Sequence, residues 1–392
     1  MKARRVGIEV SQAISVAVKL ANVDVVAAYP ITPQSHIAES IADLVANGEL
    51  DANYIPVESE HSAMSACLGA SAVGARTFTA TSSQGLELMH EVLYVTSGLR
   101  LPVVMAVANR ALSAPISIFP DHSDVMSVRD TGWVQIFTAN GQEAFDNALC
   151  AFRIAEDHRV LLPAMVHLDG FSLTHVVEPI YLPEQKEVDK FLPPYEYPLP
   201  LNPDKPVTMG GIANPNIYTE AKKAQEIALE SAKEVILQCW REFGDIFGRY
   251  YSPLECYNCE NAKVLLLAMG SLSETAMSAV DALRDEGKEV GLIKLLLWRP
   301  FPFKELRQAV EGADVLIVLD RALSFGGPGG PVCSEVRAAL YNEDKKPEVI
   351  GFVGALGGRD ITPDGFKEMI NRGIEIAQSG SEQEFEMVGV RE

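Results

Sequence analysis
At 392 residues the chain is long enough for about two domains, and a hydrophobic fraction of 47% supplies large cores. A formal net charge of −20 argues against nucleic acid or an anionic membrane surface as a partner. No apolar run reaches the roughly 18 residues of a membrane helix. The basic start Met1-Lys2-Ala3-Arg4-Arg5 lacks a signal-peptide core, so the expected location is the cytoplasm. Six scattered cysteines do not suggest a disulfide framework.

Strand-like apolar runs alternate with helical patterns up to about residue 180. The strands are expected at Val23–Ala28, Thr77–Ala80, Val103–Ala108, Val134–Thr138 and Ala164–Leu168. Helical runs at Glu60–Val73, Gly85–Ser97 and Gln142–Asp157 lie between them. That alternation predicts a mainly parallel sheet with helices on both faces. From Pro179 to Pro206 inclusive there are eight prolines, which reads as an extended arm. A helix follows at roughly Tyr218–Phe247. A second α/β unit starts near Lys263 and continues through Val290–Leu297, Val315–Leu319 and Val349–Val353.

Four segments carry candidate chemistry. The first is Tyr29-Pro30-Ile31-Thr32-Pro33-Gln34-Ser35, between a strand and an amphipathic helix. Its two prolines stiffen the turn. Ile31 and Thr32 are held where a strand ends and a helix begins, the ligand-binding edge of open α/β sheets. A well-capped turn with no ligand is the plainer reading. The second is Ser59-Glu60 before a helix of small residues, Ala63, Ala66 and Ala70. Glu60 is either a site carboxylate or a favourable first-turn charge. The third, Thr79 to Met89, sets hydroxyls at a helix N-terminus around Ser83 and Gln84.

The fourth segment ends a strand on Arg110, which offers a bidentate carboxylate clamp. The following loop carries Asp121, His122 and Asp124. These are metal-ligand types, but a hydrogen-bonded loop that orients Arg110 explains them as well. Cys256 and Cys259 lack the second close pair that a zinc site or cluster needs. Gly326-Gly327-Pro328-Gly329-Gly330-Pro331 has neither a Walker lysine nor GxGxxG spacing and reads as a contact loop.

In order and spacing, these segments resemble the alpha subunits of the 2-oxoacid:ferredoxin oxidoreductase family, those of the pyruvate enzymes in particular. The resemblance extends through Arg129-Asp130-Thr131-Gly132-Trp133, Asp169-Gly170-Phe171 with Thr174-His175, and Met269-Gly270-Ser271. It ends with Gly291-Leu292-Ile293-Lys294, Arg299-Pro300-Phe301 and Leu319-Asp320-Arg321. It covers nearly the whole chain. It implies an α/β fold of two doubly wound domains. Residues 1–180 would be a pyrimidine-binding-type domain for thiamine diphosphate. Residues 181–258 would be a proline-rich arm and linker helix, and residues 259–392 a transketolase C-terminal-like domain.

The resemblance also implies roles. Glu60 would hydrogen-bond a pyrimidine ring nitrogen of thiamine diphosphate and favour its imino tautomer. Pro30, Ile31, Ser83 and Gln84 would line the cofactor. Thr32 and Arg110 would hold the 2-oxoacid carboxylate. Thiamine-diphosphate enzymes share a Gly-Asp-Gly motif and a later Asn that hold the magnesium ion and the diphosphate, and this chain lacks the motif; Asp169-Gly170 and Gly244-Asp245 are the nearest approaches. A beta subunit would therefore carry the diphosphate, the magnesium ion and an iron–sulfur cluster. A delta subunit would carry further iron–sulfur clusters, and a gamma subunit would help to bind coenzyme A. The expected reaction is oxidative decarboxylation of pyruvate with coenzyme A to acetyl-CoA and CO2, with electrons passed to ferredoxin. A single Arg110 favours a monoacid over a diacid. The alternatives are a 2-oxoisovalerate or 2-oxoglutarate enzyme, or a scaffold subunit whose acidic surface docks a redox partner.

Overall fold
The computed structural model describes residues 4–380 and 383–391. The chain opens with β1 (Arg4–Glu9), α1 (Val10–Leu20), β2 (Val25–Ala28), α2 (Ser35–Ala46), β3 (Asn53–Pro56), α3 (Glu60–Ala72), β4 (Thr77–Thr81) and α4 (Ser83–Gly98). It continues with β5 (Val103–Asn109), α5 (Ser123–Ser127), β6 (Val134–Phe137), α6 (Gly141–Ala155), β7 (Ala164–Asp169), β8 (Val177–Leu182), α7 (Gln185–Phe191) and α8 (Pro215–Phe247). Then come β9 (Leu254–Tyr257), β10 (Val264–Ala268), α9 (Leu272–Asp285), β11 (Val290–Leu295), β12 (Leu297–Arg299), α10 (Phe303–Ala309) and β13 (Val315–Asp320). The last elements are α11 (Pro331–Leu340), β14 (Glu348–Val353), α12 (Pro363–Ser379) and β15 (Glu386–Met387).

Two large sheets organise these elements. The first has the strand order β12-β6-β7-β5-β4-β2-β3 and is parallel except for β12. The second has the order β15-β14-β13-β10-β11-β9 and is parallel except for β9. Strands β4, β5, β6 and β7 are buried along their whole length. That burial matches their near-continuous apolar runs, as expected of strands covered on both faces. One face of the first sheet packs against α1 and α6, the other against α3 and α4.

The edge elements depart from the sequence expectation. The run Val290–Leu297 breaks at Leu296, and β12 crosses to pair antiparallel with β6 of the first sheet. β9 opens the second sheet before Lys263. The N-terminal β1 forms a two-stranded antiparallel ribbon with β8. Along α8 the buried residues Ala228, Ala232, Val235, Ile236, Cys239, Trp240 and Phe243 follow helical spacing, while the helix up to Lys223 is exposed. The proline-rich segment lies on the surface, tied down where Arg76 donates to the Pro193 carbonyl and Leu201 N–H to the Ala72 carbonyl. No helix among the described residues is long and apolar enough to cross a membrane.

Candidate functional site
The chain leaves β2 outward to β3 and returns to β4 on the other side of β2. The turns after β2 and β4 therefore flank a switch point of the sheet, the position where α/β folds form a crevice. The β2–α2 turn carries Thr32, which is exposed. Gln34 stiffens it: its Oε1 accepts from Ile31 N–H at 3.3 Å, and its own N–H donates to the Ile31 carbonyl at 2.7 Å.

Arg110 follows β5 and is 6% exposed. Its Nη1 donates to the Thr32 carbonyl and its Nε to the Ser117 carbonyl, each at 2.9 Å. The structure thus brings Thr32 and Arg110 together, but through the Thr32 main chain. The two carbonyls fix the guanidinium plane without neutralising it. Among the described residues no carboxylate forms an ion pair with Arg110, and Nη2 has no hydrogen-bond partner. Burial lowers the Arg110 pKa, against the pull of Asp124.

The loop after Arg110 does not work as the sequence suggested. Asp121, His122 and Asp124 point to three different places, neither converging on a metal nor gripping the guanidinium. Asp124 Oδ2 accepts from the main-chain N–H groups of Ser83 at 3.1 Å and Arg110 at 3.0 Å, and Oδ1 from Asn109 Nδ2 and Val125 N–H. It couples the β4–α4 turn to the end of β5. Burial pushes its carboxyl up to about 7, against those hydrogen bonds. Asp121 accepts from Ser123 and from Gly357 N–H of the second half.

His122 joins a buried cluster around Asp169, at the end of β7. Asp169 Oδ1 accepts from Arg321 Nη1 at 2.5 Å and His122 Nε2 at 3.2 Å. Its Oδ2 accepts from Ser271 N–H at 2.8 Å and Ser271 Oγ at 2.6 Å. Although burial opposes ionisation, Arg321, His122 and Ser271 hold the Asp169 carboxyl below the usual range. Burial and Arg321 lower the His122 pKa, against the pull of Asp169 and Asp121. Gly270 lets the carboxylate approach: a Cβ there would sit 2.8 Å from Asp169 Oδ2, and its φ is +69°. Arg321 and Ser271 follow strands of the second sheet, so this cluster fastens the two halves together.

Glu60 opens α3. Ser59 is the N-cap, and its hydroxyl accepts from Ser62 N–H at 3.2 Å. The helix end is therefore capped without Glu60, which is 6% exposed. No donor among the described residues hydrogen-bonds its carboxylate. The side chain lies against the first turn of α4. A Cβ on Gly85 would sit 2.7 Å from Glu60 Oε1 and 2.5 Å from Thr81 Oγ1. The hydroxyls of Thr81 and Ser82 are buried there without hydrogen-bond partners. Ser83 is inward: its Oγ donates to the Ala111 carbonyl or lies against Gln84 Oε1, both at 2.7 Å. Gln84 is half-buried, and Pro30 is exposed.

Residues 16–240 match the family described as pyruvate flavodoxin/ferredoxin oxidoreductase, thiamine diP-binding, and residues 262–366 match pyruvate:ferredoxin oxidoreductase core domain II. The chain is 50% identical over 365 residues to pyruvate synthase subunit PorA of Methanothermobacter thermautotrophicus, covering 93% of this chain and 94% of that one. It is 46% identical to ketoisovalerate oxidoreductase subunit VorA of Pyrococcus abyssi, covering 94% and 93%. A 2-oxoglutarate:ferredoxin oxidoreductase from Magnetococcus marinus shares the fold at a TM-score of 0.74 and 18% identity. That likeness covers 95% of this chain, which spans 65% of the length of that one. A split-gene transketolase shares the fold more distantly, at a TM-score of 0.55 and 13% identity over 95% of this chain and 100% of that one. The α/β architecture expected from the sequence is the one found, and the chain belongs to the pyruvate:ferredoxin oxidoreductase family.

Proposed function
We propose that this chain is the alpha subunit of a pyruvate:ferredoxin oxidoreductase and supplies one side of a shared active site. Residues 1–180 would serve the pyrimidine end of thiamine diphosphate, residues 181–258 the arm and linker, and residues 259–392 the docked second domain. The observation that carries this reading is Glu60: a largely buried carboxylate beside a glycine, with no hydrogen-bond donor among the described residues and two unpartnered hydroxyls nearby. A ring nitrogen bearing a proton fits that vacancy of donors.

Thiamine diphosphate, when bound, supplies the electron sink for the decarboxylation. Glu60 would hold a proton between its carboxylate and a ring nitrogen, a contribution of about 10²–10⁴ in rate for general acid–base help. Pro30, Ile31, Ser83 and Gln84 would shape the surrounding wall. Arg110 would orient the pyruvate carboxylate, its plane already fixed by the Thr32 and Ser117 carbonyls. The carboxylate leaves as CO2, so an over-tight clamp would stabilise the ground state. A single arginine suits a monoacid. A beta subunit would hold the diphosphate, Mg2+ and an iron–sulfur cluster. Gamma and delta subunits would serve coenzyme A and electron transfer to ferredoxin, giving acetyl-CoA and CO2.

The test is the assembled complex carrying Glu60→Gln, assayed for pyruvate oxidation with a low-potential acceptor. The expected result is an assembled complex slowed at least a hundredfold, consistent with the magnitude of acid–base help. Turnover at the wild-type rate would return Glu60 to an ordinary first-turn charge. Parallel assays with 2-oxoisovalerate and 2-oxoglutarate test the substrate assignment.

A further inference from the structure
We propose that Glu9, His36 and His175 form a binding site for a divalent transition-metal ion of the zinc class. The three residues come from separate elements. Glu9 ends β1, His36 lies in the first turn of α2, and His175 lies in the turn after β7. One ligand atom from each side chain falls within 4.8 Å of the other two. His36 Nδ1 is 2.7 Å from Glu9 Oε1, and the two imidazole rings face each other with centroids 4.3 Å apart.

Two further features favour a ligand over a simple ion pair. Glu9 occupies the N-cap position of α1, where a carboxylate normally caps the free N–H groups. It makes no cap bond, and its carboxylate turns to His36 instead. His175 is held by the kind of outer partner that orients metal-binding imidazoles. Its Nδ1 lies 2.8 Å from Thr174 Oγ1, and that buried hydroxyl accepts from Phe171 N–H at 2.9 Å. This contact leaves the other ring nitrogen free to bind.

The donor set selects the ion. Two imidazoles and one carboxylate suit zinc and its neighbours, whereas magnesium and calcium prefer all-oxygen sites. Two atoms bound to one tetrahedral zinc ion at its usual bond lengths lie about 3.4 Å apart, so side-chain shifts of up to about 1.4 Å between ligand atoms, within reach of rotamer adjustment, close the site. Three protein ligands leave a position for water. The ion would join the β1–α1 junction, α2 and the loop after β7. That loop backs the Thr32 turn, since a Cβ on Gly170 would sit 2.6 Å from Pro33 Cγ. The proposed role is a clamp behind that turn, separate from the reaction itself.

The assembled complex, treated with EDTA and dialysed free of chelator, is titrated with Zn2+ by calorimetry beside its His36→Ala/His175→Ala variant. The wild type is expected to bind one more zinc ion per chain than the variant, and Glu9→Gln to weaken that ion at least tenfold. Crystals soaked in Zn2+ should show an anomalous peak between the three side chains, a readout that holds even if the double variant fails to assemble. Equal zinc numbers in both complexes, or no peak at this position, would overturn the site and leave a Glu9–His36 ion pair beside a second imidazole.

Discussion

The main-chain N–H groups of Ser83 and Arg110 meet on one carboxylate oxygen, Asp124 Oδ2, at 3.1 and 3.0 Å. The turn after β4 and the end of β5 are thereby locked to each other. Glu60 packs on the first of these elements and Thr32 bonds to the second. A change at Asp124 is therefore felt by both halves of the proposed site through the main chain of Ser83 and Arg110.

This relationship has a pH signature. Burial raises the Asp124 carboxyl from its ordinary 3.8 to about 7, so the native chain holds a proton that the unfolded chain has released across that window. Its contribution to stability is full below about pH 4 and is lost as pH rises towards 7. The stability of the wild type minus that of Asp124→Asn should fall from pH 4 to 7 in urea unfolding of the complex. Protonation also weakens an acceptor for Arg110, so kcat/KM should fall on the acid side of about 7. Asp124→Asn should lower the plateau and remove that limb. A variant that keeps the limb would assign it to another group.

Arg110 separates recognition from folding. A charge-assisted bond contributes about 1.5–3 kcal/mol, a factor of about 10–150. Arg110→Ala should cut kcat/KM for pyruvate by that much in an assembled complex. Arg110→Lys keeps the charge but cannot reach both the Thr32 and Ser117 carbonyls with one planar fork, so it should recover little. Unchanged kcat/KM in a stable Arg110→Ala complex would remove Arg110 from the site.

The Asp169–Arg321 pair tests the docking of the two halves. Both groups are buried, and removing one partner of such a pair costs about 3–5 kcal/mol because the other charge is stranded. Asp169→Asn should lower the thermal midpoint markedly. Adding Arg321→Met should restore part of the loss, since the stranded cation disappears with it. A single variant as stable as the wild type would mean that the cluster contributes nothing to docking.

The centre of the fold was legible because central parallel strands are buried on both faces and read as apolar runs; β5 and β7 deviate from expectation by one residue. The edges were not. Leu297-Trp298-Arg299 continues the apolar run of β11, and nothing in its periodicity says that it pairs with β6 across the molecule. The site divides in the same way. Thr32 and Arg110 stand at strand ends, which local pattern reveals. Asp124 acts through main-chain N–H groups, which no side-chain motif announces. Asp169 and Arg321 are 152 residues apart, so their pairing is visible only once both sheets are built. Glu60 followed by small residues has two readings, a site carboxylate or a first-turn charge; Ser59 caps the helix and Glu60 stands in its first turn, so the Glu60→Gln assay is what separates them.

Gly85 offers the sharpest separation of geometry from stability. It is the third residue of α4, where alanine is a better helix former by about 1 kcal/mol. A Cβ there would sit 2.7 Å from Glu60 Oε1, 2.9 Å from Glu60 Cγ and 2.5 Å from Thr81 Oγ1, closer than atoms pack. Overpacking of this kind costs about 1–3 kcal/mol, but the Glu60 side chain is flexible and can swing aside. The two effects then largely offset each other in stability, while the carboxylate leaves its place. Gly85→Ala should keep the thermal midpoint within a few degrees of wild type and slow turnover about as much as Glu60→Gln does. Combining the two substitutions should add little if both act on the hydrogen bond proposed for the Glu60 carboxylate. Multiplicative losses in the double variant would show that Gly85 acts on something other than Glu60.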